Sequence, residues 1–440
     1  MAMDDMILIS VDDHIIEPPS LFAGRLPARF TGREPRVARF ENGDERWLLE
    51  GRKIASVGPS AVAGRNREEM GIEPTRYDQV RAGCWRIADR LDDMNANGVL
   101  SSMNFPSMPG FAGERFYVGE DKALMLALVQ AYNDWHLEAW AGFEPGRMIP
   151  MAILPLWDLD LAIAELERMK ARGCEVATFP EQPIAYGLPS IHSNHWDRLF
   201  AAITDLDMTV TIHIGTSGGT AQPPSLDSPA DVGNTLINIQ IVEPVADLVF
   251  SPILRKYPTL RIAMSEGCMG WVPFLKERAD AAYRNHKFWT HQDLGGLMPS
   301  DLIERHFLFC FHEDDFGLRV RHEVGVSQIT WECDFPHCDS TWPHSPERLW
   351  ASVQRFPWEE IDAITHGNAM RFLKFDPFRH IDRADATVGA LRARATHVDV
   401  APKSMGGRSP TRAMGALSTG DIRRFMAESE SALGAEVELL

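Results

Sequence analysis

Three places in the chain set metal-type or acid–base side chains at the end of an apolar run. In VDDHIIEPP, Asp12 and His14 stand two residues apart. On a strand such a pair shares one face, and a carboxylate beside an imidazole is half of a divalent metal site. In TVTIHIGTSGG, His213 ends a β-branched run. A buried imidazole there is costly unless it is ligated or, as the structural alternative, hydrogen-bonded within the core. The Gly/Ser/Thr-rich sequel lets the backbone approach a ligand closely. In ITWECDFPHCDS, Asp334 follows a buried-looking strand and precedes Phe-Pro, which stops further pairing. A lone carboxylate at that place needs a cation, or a structural ion pair, to offset its desolvation. His337 and Asp339 follow closely enough to support such a group. Any one of these signals is weak. Their coincidence at three strand ends is much harder to produce by chance.

Residues this far apart meet only if their strands are parallel and end on one side. The pattern predicts strands over 6–11, 99–104, 148–154, 175–179, 208–214, 261–265, 306–311 and 328–333. Amphipathic helices are predicted over 86–97, 120–141, 159–172, 195–205, 233–250, 272–286, 316–323, 346–355 and 359–367. Strands alternating with helices imply a parallel sheet, and eight of them fit a closed TIM-type (β/α)8 barrel better than an open sheet. No GxGxxG follows an early strand, so a dinucleotide site has no support. Barrel active sites lie at the C-terminal strand ends, where Asp12, His14, His213 and Asp334 all fall.

The barrel is assigned residues 1–380, with an insertion over 30–85 and a tail over 381–440. In the insertion, RVARFENGDERWLLEG reads as a hairpin turning at Asn42-Gly43, a pair that accepts positive φ at both central positions. Because it follows the first strand, the insertion is a candidate lid, with a peripheral or dimer-contact role as the alternative. The tail is rich in Gly, Ser, Ala and charge, with a weak helix near 421–432. It is expected to be loosely ordered or to wrap a neighbouring subunit.

Composition narrows the partners. The 440 residues carry 44 Lys and Arg against 62 Asp and Glu, a formal charge of −18. That balance argues against nucleic acid or an anionic membrane as the main partner. It leaves a small anionic substrate open, because a local metal outweighs distant surface charge. Two acids precede the first apolar run, no run is long enough to span a membrane, and the six cysteines form no CxxC pair. These features predict a cytoplasmic protein with reduced thiols and no zinc knuckle.

The segments VDDHIIEPPSLF, TIHIG, SEGCMGWVPFLKER and CDFPHCDSTWPHS together resemble the decarboxylase-type branch of the amidohydrolase superfamily. That branch includes aminocarboxymuconate-semialdehyde and γ-resorcylate decarboxylases. The resemblance runs over roughly 6–375, including the HGNAMRFLKF segment. It implies one divalent metal, Zn²⁺ or Mn²⁺, held by Asp12, His14, His213 and Asp334, and a homodimer or higher homo-oligomer. EVATFPEQP has no lysine to bridge a metal pair. In AMSEGCMGW, Glu266 stands where the branch usually places a proton-transferring histidine.

Two enzyme classes follow. The first is a non-oxidative decarboxylase or related carbon–carbon lyase acting on a small aromatic or unsaturated carboxylic acid, with Asp334 protonating the carbon that loses CO₂. The second is a hydrolase of an amide, lactone or C–C bond, with Asp334 or Glu266 taking a proton from a metal-activated water. A non-catalytic binding barrel is a third reading, opposed by the complete ligand set. Catalytic candidates are Asp334, Glu266 and His213; substrate-binding candidates are Trp271, His312, His337 and Phe335. Phe105 belongs with Trp271 and Phe335 as an apolar wall or as core. His136 and His195 lie on predicted helices and read as surface or packing groups.

Overall fold

A computed structural model describes residues 2–439 apart from 59, 72–73, 219–222, 224, 407–414 and 430–436. In chain order the first strands are β1 (Ile9–Ile15) and, in the insertion, β2 (Arg36–Phe40), β3 (Glu45–Leu49) and β4 (Arg52–Ser56). The alternating region then supplies β5 (Ser101–Pro106), β6 (Met148–Ile149), β7 (Met151–Ala152) and β8 (Val176–Thr178). It continues with β9 (Thr209–His213), β10 (Arg261–Ser265), β11 (Phe307–Phe311) and β12 (Ile329–Trp331).

Two parallel sheets, β1-β5-β6 and β7-β8-β9-β10-β11-β12, make up the barrel wall. Pro150 separates β6 from β7, since proline has no N–H to give to a ladder. Beyond β12 the backbone continues beside β1. Asp334 N–H donates to the Asp12 carbonyl at 2.8 Å, and His14 N–H donates to the Phe335 carbonyl at 2.7 Å. These bonds join the last strand to the first, giving the (β/α)8 ring the alternation predicts.

Strand alternation divides the apolar residues into two layers. Ile9, Val11, Met103, Phe105, Met151, Ala263, Leu308 and Cys310 fill the interior. Val210, Ile212, Ile262, Met264, Phe309 and Trp331 point outward to the helices. Ala369, Phe372 and Leu373 of the helix Asn368–Leu373 join the interior cluster, and the Phe372 carbonyl accepts from the Thr209 hydroxyl at 2.7 Å. Thr209 is the first residue of β9, so this helix plugs the N-terminal mouth and leaves the C-terminal mouth for chemistry.

The insertion forms an antiparallel sheet with a strand of the tail, β13 (Val437–Leu439), in the order β13-β2-β3-β4. The predicted hairpin between β2 and β3 is present, but its turn differs. Only Gly43 takes positive φ, at 85°, while the Asn42 side chain accepts from Asp44 N–H at 3.0 Å. The side chain of Asn42 thus braces a longer turn, and a two-residue type I′ turn is not needed. Val62 and Ala63 N–H both reach the Pro336 carbonyl, at 2.9 and 3.1 Å, so the insertion touches the segment beside Asp334.

The described part of the tail packs on its own chain. The helix Val388–Arg394 buries Val388 and Leu391, and Val388 N–H bonds to the Met6 carbonyl at 2.8 Å. Lys403 N–H bonds to the Gly64 carbonyl at 3.0 Å, and β13 (Val437–Leu439) pairs with β2. The described part of the tail therefore wraps its own barrel and insertion. Its apolar residues find partners only at long sequence distance, which local composition does not reveal. The weak helix spans Thr419–Ser429; positions 430–432 of the expected span lie outside the described residues.

Candidate metal centre

Strand β1 aims its ligands through a bulge. Ser10 pairs with Ser102 and Asp13 with Asn104, so β1 holds one more residue than β5 between these points. Strict alternation from Val11, which faces the interior, would send Asp12 outward. The extra residue resets the register, turning Asp12 and His14 into the barrel and Asp13 out of it. The strand also runs to Ile15, past its predicted end at 11, so both ligands sit within the ladder. On β9, Val210 and Ile212 face outward, leaving Thr209, Thr211 and His213 inward. After β12 the same parity, with Ile329 and Trp331 outward, brings Glu332 and Asp334 inward.

These side chains meet. His14 Nε2 is 3.5 Å from Asp12 Oδ1 and 3.3 Å from Asp334 Oδ1. His213 Nε2 is 3.1 Å from Asp12 Oδ2 and 3.3 Å from Glu266 Oε2. His337 Nδ1 lies 2.8 Å from Asp334 Oδ1. Ligand atoms of Asp12, His14 and His213 fall within 4.8 Å of one another, as do those of His14, Glu266, Asp334 and His337. Asp12, His14, His213 and Asp334 are all completely buried. Glu266 and Asp334 both hold positive φ, 62° and 58°. For a non-glycine residue this conformation costs about 1 kcal/mol or more, and such strain concentrates at functional sites.

The fit to a cation rests on unmet bonding capacity. Both oxygens of Asp12, both of Asp334, both nitrogens of His14 and Nε2 of His213 are buried without a well-aligned hydrogen bond. His213 Nδ1 faces the Ile214 carbonyl at 2.6 Å; as that bond's donor it leaves Nε2 free to ligate. Burial pushes the Asp12 carboxyl well above the usual range, and Glu332 and Asp334 push it the same way. Burial likewise raises Glu266 well up, with Asp334 adding to it. Burial drives the His14 imidazole well down, keeping it in its neutral, ligating form. At Asp334 burial would raise the carboxyl, but His337 and His14 outweigh it and hold Asp334 well below its usual value. Two carboxylates and two imidazoles converging in a buried cluster suit one divalent cation such as Zn²⁺ or Mn²⁺.

The other predicted residues separate. His337 lies against His14, with ring centroids 3.9 Å apart and planes tilted by 36°. His312 lies beside Glu332, its Nδ1 3.6 Å from Oε1. Phe105 stands edge-on to His213 at 4.6 Å. Phe335 turns the other way, its ring under Arg90 and against Trp342, so only its backbone serves the site. Trp271 ties its indole N–H to the Gly267 carbonyl at 2.8 Å and packs on Phe309, in the layer outside the strands. His136 is buried and His195 exposed, each without a link to the cluster. Sequence reasoning missed Glu332 and Phe111. Strand parity was the available signal for Glu332. Phe111 covers His213 and His14 at 4.4 and 4.8 Å from a loop, where no periodicity announces it.

Comparison with known proteins places this geometry. A family model described as amidohydrolase matches residues 35–375. A 2-amino-3-carboxymuconate-6-semialdehyde decarboxylase from Dictyostelium discoideum is 22% identical over 331 residues, covering 72% of this chain and 84% of that protein. Among solved structures, an amidohydrolase from Mycobacterium avium subsp. paratuberculosis K-10 superposes with TM-score 0.63 at 19% identity, covering 83% of this chain and 99% of the other. A 5-carboxyvanillate decarboxylase from Novosphingobium aromaticivorans, holding manganese and a nitrobenzoic acid, gives TM-score 0.60 at 14% identity, covering 85% and 99%.

Proposed function

This chain belongs to the amidohydrolase family, and from that premise we propose that it is a metal-dependent non-oxidative decarboxylase, or related carbon–carbon lyase, of a small aromatic or unsaturated carboxylic acid. The observation that carries the reading is the buried, unbonded ligand set of Asp12, His14, His213 and Asp334. These four residues would hold one divalent ion; the manganese in the 5-carboxyvanillate decarboxylase favours Mn²⁺ over Zn²⁺. When bound, the ion supplies Lewis-acid stabilisation of the charge that builds as CO₂ leaves.

The chain's own acids divide the remaining work. Asp334 is held ionised by His337 and His14, which suits a ligand and disfavours a proton donor. Glu266 is the better donor: burial raises its carboxyl well above the usual carboxylate range, and Oε2 reaches to 3.3 Å from His213. Protonation of the carbon that loses CO₂ is therefore assigned to Glu266 rather than to Asp334. Phe105 and Phe111 form an apolar wall that excludes water and faces an aromatic ring. A hydrolase would instead need Asp334 or Glu266, unprotonated, to take a proton from a metal-activated water.

Cytoplasmic residence belongs to this reading, supported by six free thiols. Among the described residues no helix is long and apolar enough to cross a membrane. The insertion is read as a lid, because Val62 and Ala63 anchor it beside Asp334. A homodimer would use exposed apolar surface, and the helix Val272–Thr290 offers Phe274, Phe288 and Trp289.

The test is incubation of the Mn²⁺-loaded enzyme with a panel of hydroxybenzoates. Release of CO₂ without incorporation of ¹⁸O from water is expected. Incorporation of ¹⁸O, with no CO₂, would replace the lyase by the hydrolase.

A further inference from the structure

Strand parity builds a second polar group beside the ligand cluster. On β11, Phe307, Phe309 and Phe311 face outward while Leu308 and Cys310 face inward, so His312 is the next inward residue. Phe311 and Trp331 are register partners, which makes His312 and Glu332 the following pair across β11 and β12. Glu332 is completely buried. Its Oε2 accepts from the Cys310 thiol and, at 3.2 Å, from the Glu266 backbone N–H. Its Oε1 has no hydrogen bond and faces His312 Nδ1 at 3.6 Å. The His312 side chain keeps 11% of its surface open. Neither residue belongs to the four proposed ligands.

A buried carboxylate with one oxygen unmet calls for a cation beside it. Burial alone would lower the His312 imidazole, but Glu332 outweighs burial and pushes it up to about 9. With Nδ1 turned to Glu332, the imidazolium's other N–H, at Nε2, points away from that carboxylate. Charge-assisted bonds from such a fixed donor to an anionic oxygen are about twice as strong as neutral ones.

We infer that His312 is a substrate-binding residue that takes a second carboxylate of the substrate, and that Glu332 is the positioning residue that fixes its ring. The inference rests on the reading of this pocket as a carboxylic-acid site and narrows its substrates to acids with a second ionised group. Glu332 also ties the backbone of Glu266, so the acid that delivers the proton and the donor that grips the substrate share one support.

The test is calorimetric binding of benzoate and isophthalate to the Mn²⁺-loaded full chain, with metal content and melting temperature measured in parallel. Wild type is expected to bind isophthalate about tenfold or more tightly than benzoate. His312→Gln should bring that preference to within about twofold, and His312→Lys should restore part of it. Glu332→Gln should weaken the preference with metal content intact. A preference that survives His312→Gln, or that wild type lacks, overturns the inference. Binding needs no turnover. If no acid releases CO₂ yet the preference holds, the decarboxylase reading falls and the His312 site stands.

Discussion

Asp12 and Asp13 are neighbours on one strand, equally buried, and chemically the same, yet their surroundings are opposite. Asp13 Oδ1 accepts from Phe335 N–H at 2.8 Å and from the Ser10 hydroxyl at 3.3 Å, and the Ser102 hydroxyl donates to Oδ2. The network continues from Asn104 to Ser102 at 2.6 Å and from the Trp140 indole to Asn104 at 2.6 Å. Asp12 has no aligned donor at either oxygen. One face of β1 is a finished hydrogen-bond network; the other is a set of acceptors facing each other. The difference shows how to tell a structural buried acid from a ligand: the first is saturated by protein, the second is left for a cation.

The comparison can be broken most severely at the unsaturated face. Asp334→Asn is expected to lower turnover by a factor of about a thousand or more, since it removes a ligand charge, while melting temperature changes little. Full activity in that variant would remove Asp334 from the site. On the saturated face the outcome should invert. Asp13→Ala strips acceptors from Phe335, Ser10 and Ser102 and a counter-charge from Arg90, and should cost about 3 kcal/mol of stability. The folded fraction should still bind its metal, which denaturant titration with metal analysis would check.

His136, buried away from the ligand cluster, offers a case with a pH signature. Its Nε2 accepts from Met151 N–H at 3.3 Å, and burial pushes its imidazole down to about 4. The folded state thus favours the neutral ring. Its contribution is present above the unfolded value near 6.5 and is lost as pH falls toward 4, by up to about 3 kcal/mol. Chemical denaturation of wild type and His136→Gln between pH 7 and pH 4 should show a flatter profile in the variant. The smallest effect is expected at Phe111→Ala. Losing an aromatic contact of about 1 kcal/mol should raise KM for an aromatic acid about fivefold, with metal content unchanged.

Much of this was legible in the sequence, and the failures have specific causes. Strand β10 lies where the pattern put it, over 261–265, because Ile262 and Met264 alternate cleanly with interior residues. The spacing of Asp12 and His14 gave their shared face, but not the bulge that turns it inward, since a bulge is a relation between two strands. Glu332 was readable from the parity of Ile329 and Trp331, and was passed over because it sits inside an apolar run. Phe335 looked like a wall of the site through its position beside Asp334, whereas its side chain belongs to the Asp13 face with Arg90. Phe111 and the strap at Lys403 depend on loop paths set by distant backbone partners.

Elemental analysis of purified protein, with and without chelator, tests the shared cation most directly. About one divalent ion per chain is predicted for wild type, lost to a strong chelator together with activity, and absent or much depleted in Asp12→Ala and His213→Ala. Active protein that carries no metal, or an Asp12→Ala variant that keeps its full complement, would contradict the account.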